Sequence, residues 1–138
     1  MTGMKRPNSA RLKSIAKRYG LRLVILFGSQ VTGRTHPDSD VDVAVWLAAP
    51  LNPAQRTRLW ADLSTLFQAD IDLTVLNRAE PLLLNEVATR GRLLYESKRG
   101  EWSSFKGYAF RYYQDAQKYR DDLACYVRRE LQDVHRAR

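Results

Sequence analysis

The sequence predicts an α/β (α+β) fold: a small mixed sheet flanked by helices and continued by one long C-terminal helix. Three observations predict it. Leu21–Phe27 is an apolar run broken only by Arg22, and Asp40–Leu47 and Asp70–Leu76 alternate, so all three read as strands. Segments with helical spacing lie around and between them. From Gly100 onward Phe105, Tyr112, Tyr119 and Tyr126 recur every seven residues, with Ala109, Ala116 and Leu123 between them, which fits one amphipathic helix.

In chain order, Asn8 or Ser9 caps a helix over Ala10–Tyr19, with Leu12, Ile15, Ala16 and Tyr19 on one face and Gly20 as its stop. Gly28 ends the first strand. Residues 30–39 read as a loop, with Gly33, Pro37 and Asp38 as turn signals and room for a short helix directly after Ser29. In the second strand Val41, Val43, Val45 and Leu47 face one way, and Asp40, Asp42, Ala44 and Trp46 the other. Pro50–Pro53 is a break, and Leu59, Leu63, Leu66 and Phe67 give Ala54–Phe67 a helical face. In the third strand Ile71, Leu73 and Val75 lie opposite Asp72 and Thr74. Pro81 opens a helix that runs to about Arg90 and is capped by Gly91, and Arg92–Tyr95 makes a short edge strand. The chain divides into a unit over 1–97 and an amphipathic helix over 98–138, which either packs on that unit or docks a partner.

At 138 residues, 44% hydrophobic and 28% charged, the chain suits one globular domain. No apolar run approaches the ~18 residues of a membrane span, so no membrane association is expected. Residues 1–7 lack the apolar stretch of a secretory signal. The single Cys125 has no internal disulfide partner, reads as a buried helix residue, and points to a reducing, cytoplasmic location. The net charge of +8 is concentrated early: no acidic residue precedes Asp38, whereas Lys5, Arg6, Arg11, Lys13, Lys17, Arg18, Arg22 and Arg34 do. Such a segment attracts phosphate or simply forms a solvated helix face. It lacks the aromatic interleaving that stacks bases, so direct nucleic-acid binding is not expected.

The chemistry gathers around the second strand. Asp40 and Asp42 share a face, roughly 6.5–7 Å apart along the strand. Neighbouring carboxylates repel unless they are exposed, protonated or neutralised by a cation, and magnesium or manganese takes an all-oxygen shell of this kind. Asp72 is the third carboxylate that would complete such a site, with Asp70 as second choice. Gly28 and Ser29 supply a turn whose backbone N–H groups and hydroxyl suit phosphate. Gly-Ser alone is ordinary turn chemistry and Asp-x-Asp alone is often an exposed strand edge. The combination of apolar strand, Gly-Ser, ten-residue loop and Asp-x-Asp is far more specific.

These residues resemble a known signature. LFGSQVTGRTHPDSDVDVAVWL is similar to the Gly-Ser, ten residues, Asp-x-Asp pattern of the DNA polymerase β-like nucleotidyltransferases, with Gly28, Ser29, Asp40 and Asp42 in place and Ser39 before Asp40. The small size, the stretch IDLTVLNRAEPLLLNEVATRGRLLYES and the tyrosine-rich last helix resemble the minimal nucleotidyltransferase branch, over about Tyr19 to Tyr95 and more loosely beyond. In one departure, Thr32 stands where a further arginine is common and Arg34 follows Gly33 instead, which bears on nucleotide affinity or orientation.

The resemblance implies that 1–97 is the nucleotidyltransferase domain, that Gly28, Ser29 and Arg34 bind the nucleotide, and that Asp40, Asp42 and Asp72 hold Mg2+ or Mn2+ and act in catalysis. Many members of the branch are antitoxins paired with a HEPN-domain ribonuclease toxin. What the resemblance then implies is transfer of AMP from ATP to a tyrosine of that toxin within a hetero-oligomer, with Asp72 as general base. The alternatives are an antitoxin that acts by binding alone and a transferase for a small-molecule acceptor. The latter usually carries a sizeable acceptor domain, where only residues 96–138 follow Tyr95 here.

Other residues have two readings each. Trp46 either floors the pocket or covers the sheet under a helix. His36 is an exposed loop residue or a nucleotide contact. Arg129 and His135 match a ribonuclease spacing without the bundle such a motif needs.

Overall fold

The computed structural model describes residues 7–28 and 41–136. Ser29, Arg34, His36 and Asp40, and the loop or short helix expected over 30–39, lie outside the described residues.

Helix α1 (Ser9–Tyr19) starts where the Asn8 side chain accepts the backbone N–H groups of Ala10 and Arg11, at 2.9 and 3.2 Å. It stops at Gly20, whose left-handed backbone (φ 68°, ψ 40°) costs a glycine nothing. Strands β1 (Leu21–Phe27) and β2 (Val41–Leu47) follow, then α2 (Pro53–Phe67), β3 (Ile71–Val75), a 3₁₀ turn (Leu76–Arg78), α3 (Pro81–Arg90), β4 (Arg92–Glu96) and α4 (Glu101–Arg136). Helix α2 begins one residue earlier than expected, because Pro53 takes the first helical position behind an Asn52–Gln55 capping box. The third strand is shorter than expected: Asp70 precedes it, and Leu76 turns out of it into the 3₁₀ turn and is fully buried. Gly91 ends α3 as expected, though with an extended backbone (φ −74°, ψ 154°) rather than a left-handed one. Its glycine is steric: a Cβ there would strike the Val87 carbonyl oxygen and come within 2.6 Å of Ile25 Cγ2.

The sheet order is β3-β2-β1-β4. β1 runs antiparallel to both β2 and β4, while β2 and β3 are parallel, so the sheet is mixed as the sequence predicts. Both faces are covered. Leu12 and Ala16 of α1 and Leu59, Leu63 and Phe67 of α2 pack on Val41, Val43, Val45, Val24 and Leu26. On the other face Leu84 and Val87 of α3 and Phe105 and Ala109 of α4 pack on Leu23, Ile25 and Ala44. This explains the apolar run Leu23–Leu26 of β1, which is buried on both sides, while Arg22 stays exposed. A register shift between Leu21 and Leu23 lets Leu21 join the same cluster as Val24. The far end of β2 is held by Asn77, whose side chain accepts the Leu47 N–H and donates to the Leu47 carbonyl oxygen, both at 2.8 Å.

Helix α4 has two regimes. Its first turns are packed, and Trp46 meets Phe105 and Tyr108 edge-on at 5.5 and 5.9 Å, so Trp46 covers the sheet under a helix. Past Ala109 no described residue of α4 is buried. Tyr112, Tyr119, Leu123, Tyr126, Val127, Leu131 and Val134 are between 41% and 68% exposed. Cys125, expected to be buried, is exposed as well, because it sits on this length of helix that no other element covers. No helix among the described residues is long and apolar enough to cross a membrane.

Candidate active site

The parallel register of β2 and β3 pairs Asp42 with Asp72. Paired residues on adjacent strands lie about 4.8 Å apart and point to the same face. Across the antiparallel pair, Asp42 also faces Phe27 of β1. One row therefore runs across three strands at the rim of the sheet, Asp72–Asp42–Phe27, on the face that α3 and α4 cover further along. Asp72 is exposed and Asp42 half-buried.

Gly28 follows Phe27 directly and has a φ of +80°. A Cβ at this position would run into the Asp42 carboxylate, with Oδ2 the nearest atom and Cγ at 2.9 Å. The glycine therefore meets two requirements at once, a left-handed backbone and contact between the turn and the carboxylate. Asp70 is exposed and lies ahead of β3, and its backbone carbonyl accepts the Val41 N–H at 3.0 Å. It has no register partner among the strand residues, unlike Asp72.

Of the residues proposed from sequence, the structure brings together Gly28, Asp42 and Asp72. No group of three His, Cys, Asp or Glu residues placed to hold a metal occurs among the described residues, and Asp40 is not one of these. The described pair nevertheless suits a hard divalent cation: two carboxylates on one face, side by side, with only oxygen donors.

Sequence spacing did not single out Glu86 and Arg90. With Leu83 they form one face of α3 and, together with Phe27 and Gly28, line a cavity of about 300 Å³. Glu86 Oε2 and Arg90 Nε are 3.7 Å apart, on side chains 47% and 68% exposed. Their i, i+4 spacing is that of any solvated helix face, so only the packing of α3 against the end of β1 reveals them. A larger cavity of about 480 Å³, lined by Arg18, Tyr19 and Asp62 among others, lies between α1 and α2, away from the carboxylates on the opposite face of the sheet.

The early cations are partly committed. Arg18 pairs with Asp62 at 3.3 Å and Arg22 with Glu101 at 2.7 Å, which favours the reading of a charged, solvated surface there. The Tyr19 hydroxyl donates to Asp62 Oδ2 at 2.6 Å. Burial, then the hydrogen bond and charge of Asp62, raise its pKa above the ordinary 10.0.

Known proteins resemble this chain in sequence and fold. The protein adenylyltransferase MntA of Shewanella oneidensis is 35% identical over 81 residues, which is 59% of this chain and 58% of that one, less than two thirds of its length. The protein adenylyltransferase MntA of Aphanizomenon flos-aquae is 30% identical over 117 residues, 74% of this chain and 78% of that one. A crystal structure of a toxin–antitoxin with AMP-PNP superposes with a TM-score of 0.71 at 29% identity, covering 87% of this chain and 98% of that chain. The tri-AMPylated Shewanella oneidensis HEPN toxin in complex with MNT antitoxin gives a TM-score of 0.65 at 26% identity, over 86% and 94% of the two chains. The family model described as Polymerase beta, Nucleotidyltransferase matches residues 10–100, a span that holds the paired aspartates, the Gly28 turn and the whole sheet, and the chain belongs to that family.

Proposed function

We propose that this chain transfers AMP from ATP to a tyrosine of a cognate HEPN ribonuclease toxin and thereby neutralises it. The observation that carries the reading is the pairing of Asp42 with Asp72 beside Gly28. That arrangement collects negative charge where a nucleotide's α-phosphate would be handled. The relatives named for protein adenylylation, and the neighbours solved with AMP-PNP or with an AMPylated toxin, support the choice of reaction and acceptor.

In this mechanism Gly28 and Ser29 seat the phosphates through backbone N–H groups and the serine hydroxyl, with Arg34 beside them. Asp40, Asp42 and Asp72 would hold Mg2+ or Mn2+, which would supply charge neutralisation and Lewis acidity at the phosphate. Asp72, exposed at the rim, takes the proton from the incoming tyrosine hydroxyl. The tyrosine oxygen forms a bond to the α-phosphorus, the bond from that phosphorus to the bridging oxygen breaks, and pyrophosphate leaves. Positioning and electrostatics dominate such chemistry, so few further groups are needed.

The two parts of the chain divide the work. Residues 1–97 are the catalytic unit. In 98–138 the exposed Tyr112, Tyr119 and Tyr126 stripe of α4 is the surface that docks the helical toxin, since tyrosine offers an apolar body and a polar tip. We place the pair in the reducing cytoplasm, consistent with the free thiol of Cys125.

The test is incubation with α-labelled nucleoside triphosphates, Mg2+ and the product of the neighbouring gene, read by intact-protein mass and label transfer. One or more AMP units on the partner, absent with the Asp40→Ala/Asp42→Ala double variant, is the expected result. A stable complex with no transfer from any nucleotide would leave binding alone as the means of neutralisation.

A further inference from the structure

Leu83, Glu86 and Arg90 stand at i, i+3 and i+7 of α3 and so share one face. That face forms one wall of the 300 Å³ cavity, and Phe27 with Gly28 forms the other. Phe27 is the cross-strand partner of Asp42, and Gly28 touches the Asp42 carboxylate, so the cavity lies next to Asp42. Among the described residues lining it, Arg90 is the one cation.

We propose that Arg90 binds the β- and γ-phosphates of the nucleotide, exchanging Glu86 for them when the nucleotide enters. The inference rests on the nucleotidyl-transfer reading and assigns a phosphate ligand within that site. The carboxylates at Asp42 and Asp72 handle the α-phosphate, and the remaining phosphates lie one and two linkages further along a polyanion that needs cations. A guanidinium presents a planar fork of donors that matches phosphate oxygens two at a time. The Glu86 pair holds Arg90 only through Nε at 3.7 Å, with both side chains well exposed. An exposed pair of that length contributes little, so exchange for a phosphate is favourable. The apolar walls of Phe27 and Leu83 exclude water from one side of the contact and strengthen it.

The experiment is calorimetric titration of the full chain with ATP and, separately, AMP, in Mg2+. Arg90→Ala is expected to weaken ATP about tenfold, the scale of one lost charged hydrogen bond, and to leave AMP unchanged. Arg90→Lys recovers part of the loss. Glu86→Gln, which removes a competing anion, tightens ATP without affecting AMP. Equal losses for ATP and AMP, or no loss for either, would overturn the assignment. AMP transfer to the partner is followed in parallel. Transfer by the wild type with an unchanged ATP:AMP ratio in Arg90→Ala sinks the arginine contact alone. A changed ratio in a protein that transfers nothing sinks the transfer reading and keeps the contact.

Discussion

An alanine at Gly28 would push its methyl group into the Asp42 carboxylate and hold an L-residue at a φ of +80°. The left-handed backbone alone costs about 1–2 kcal/mol. Gly28→Ala is therefore expected to lower the melting temperature by several degrees and to reduce the proposed AMP transfer far more, by about 100-fold or greater, because the carboxylate must move. Thermal melts read beside single-turnover transfer check both. Asp72→Asn keeps the shape and removes the charge, so kcat should fall at least about 100-fold while the melt stays within a degree or two of wild type. Tyr19 gives a prediction in pH. Its folded pKa lies above the unfolded 10.0, so its contribution to stability is complete below pH 10 and is lost as pH rises through the folded value. Tyr19→Phe should cost about 1 kcal/mol at neutral pH and shrink the fall in stability above pH 10, as denaturant titrations at several pH values would show.

At the scale of elements, capping side chains mark where α1 and α2 begin, and a proline marks the start of α3. Asn8, Gly20 and Pro81 could be read from local chemistry, whereas Pro53, read as the end of a break, is the first residue of α2. Asn77 could not be read. Its side chain completes the end of β2 with two hydrogen bonds to Leu47, a residue thirty positions away. Asn77→Ala leaves both Leu47 groups seeking partners, and a loss of about 1–3 kcal/mol is expected by equilibrium unfolding. Gly91 teaches the complementary lesson. Its place at the end of α3 was legible, but the reason for glycine was not, because the clash with Ile25 exists only once α3 lies on the sheet.

For the whole molecule, α4 is the element whose role changes with context. Its periodicity is the same before and after Ala109, yet only the early turns are buried. Substitutions on the later stripe should therefore leave the fold intact and disrupt assembly. Tyr119→Arg with Leu123→Asp is expected to melt within about 2 °C of wild type, since surface changes of this kind usually stay within ~0.5 kcal/mol. The same variant should fail to co-elute with the proposed HEPN partner in size-exclusion chromatography. Retained co-elution would place the docking surface elsewhere.

The sequence by itself determined the elements and marked Gly28, Asp42 and Asp72 as candidates for one site. Each of these is written in short-range pattern: a period of two, a period near 3.6, a turn residue, a carboxylate opposite apolar neighbours. Only the tertiary structure decided that Asp42 and Asp72 share one register, that Gly28 touches the first of them, that Glu86 and Arg90 wall the cavity alongside, and that Cys125 and the late tyrosines stay uncovered. Those facts depend on which strand pairs with which and where a helix comes to rest. They are set by the burial of two apolar faces of the sheet together, which no local stretch of the chain encodes.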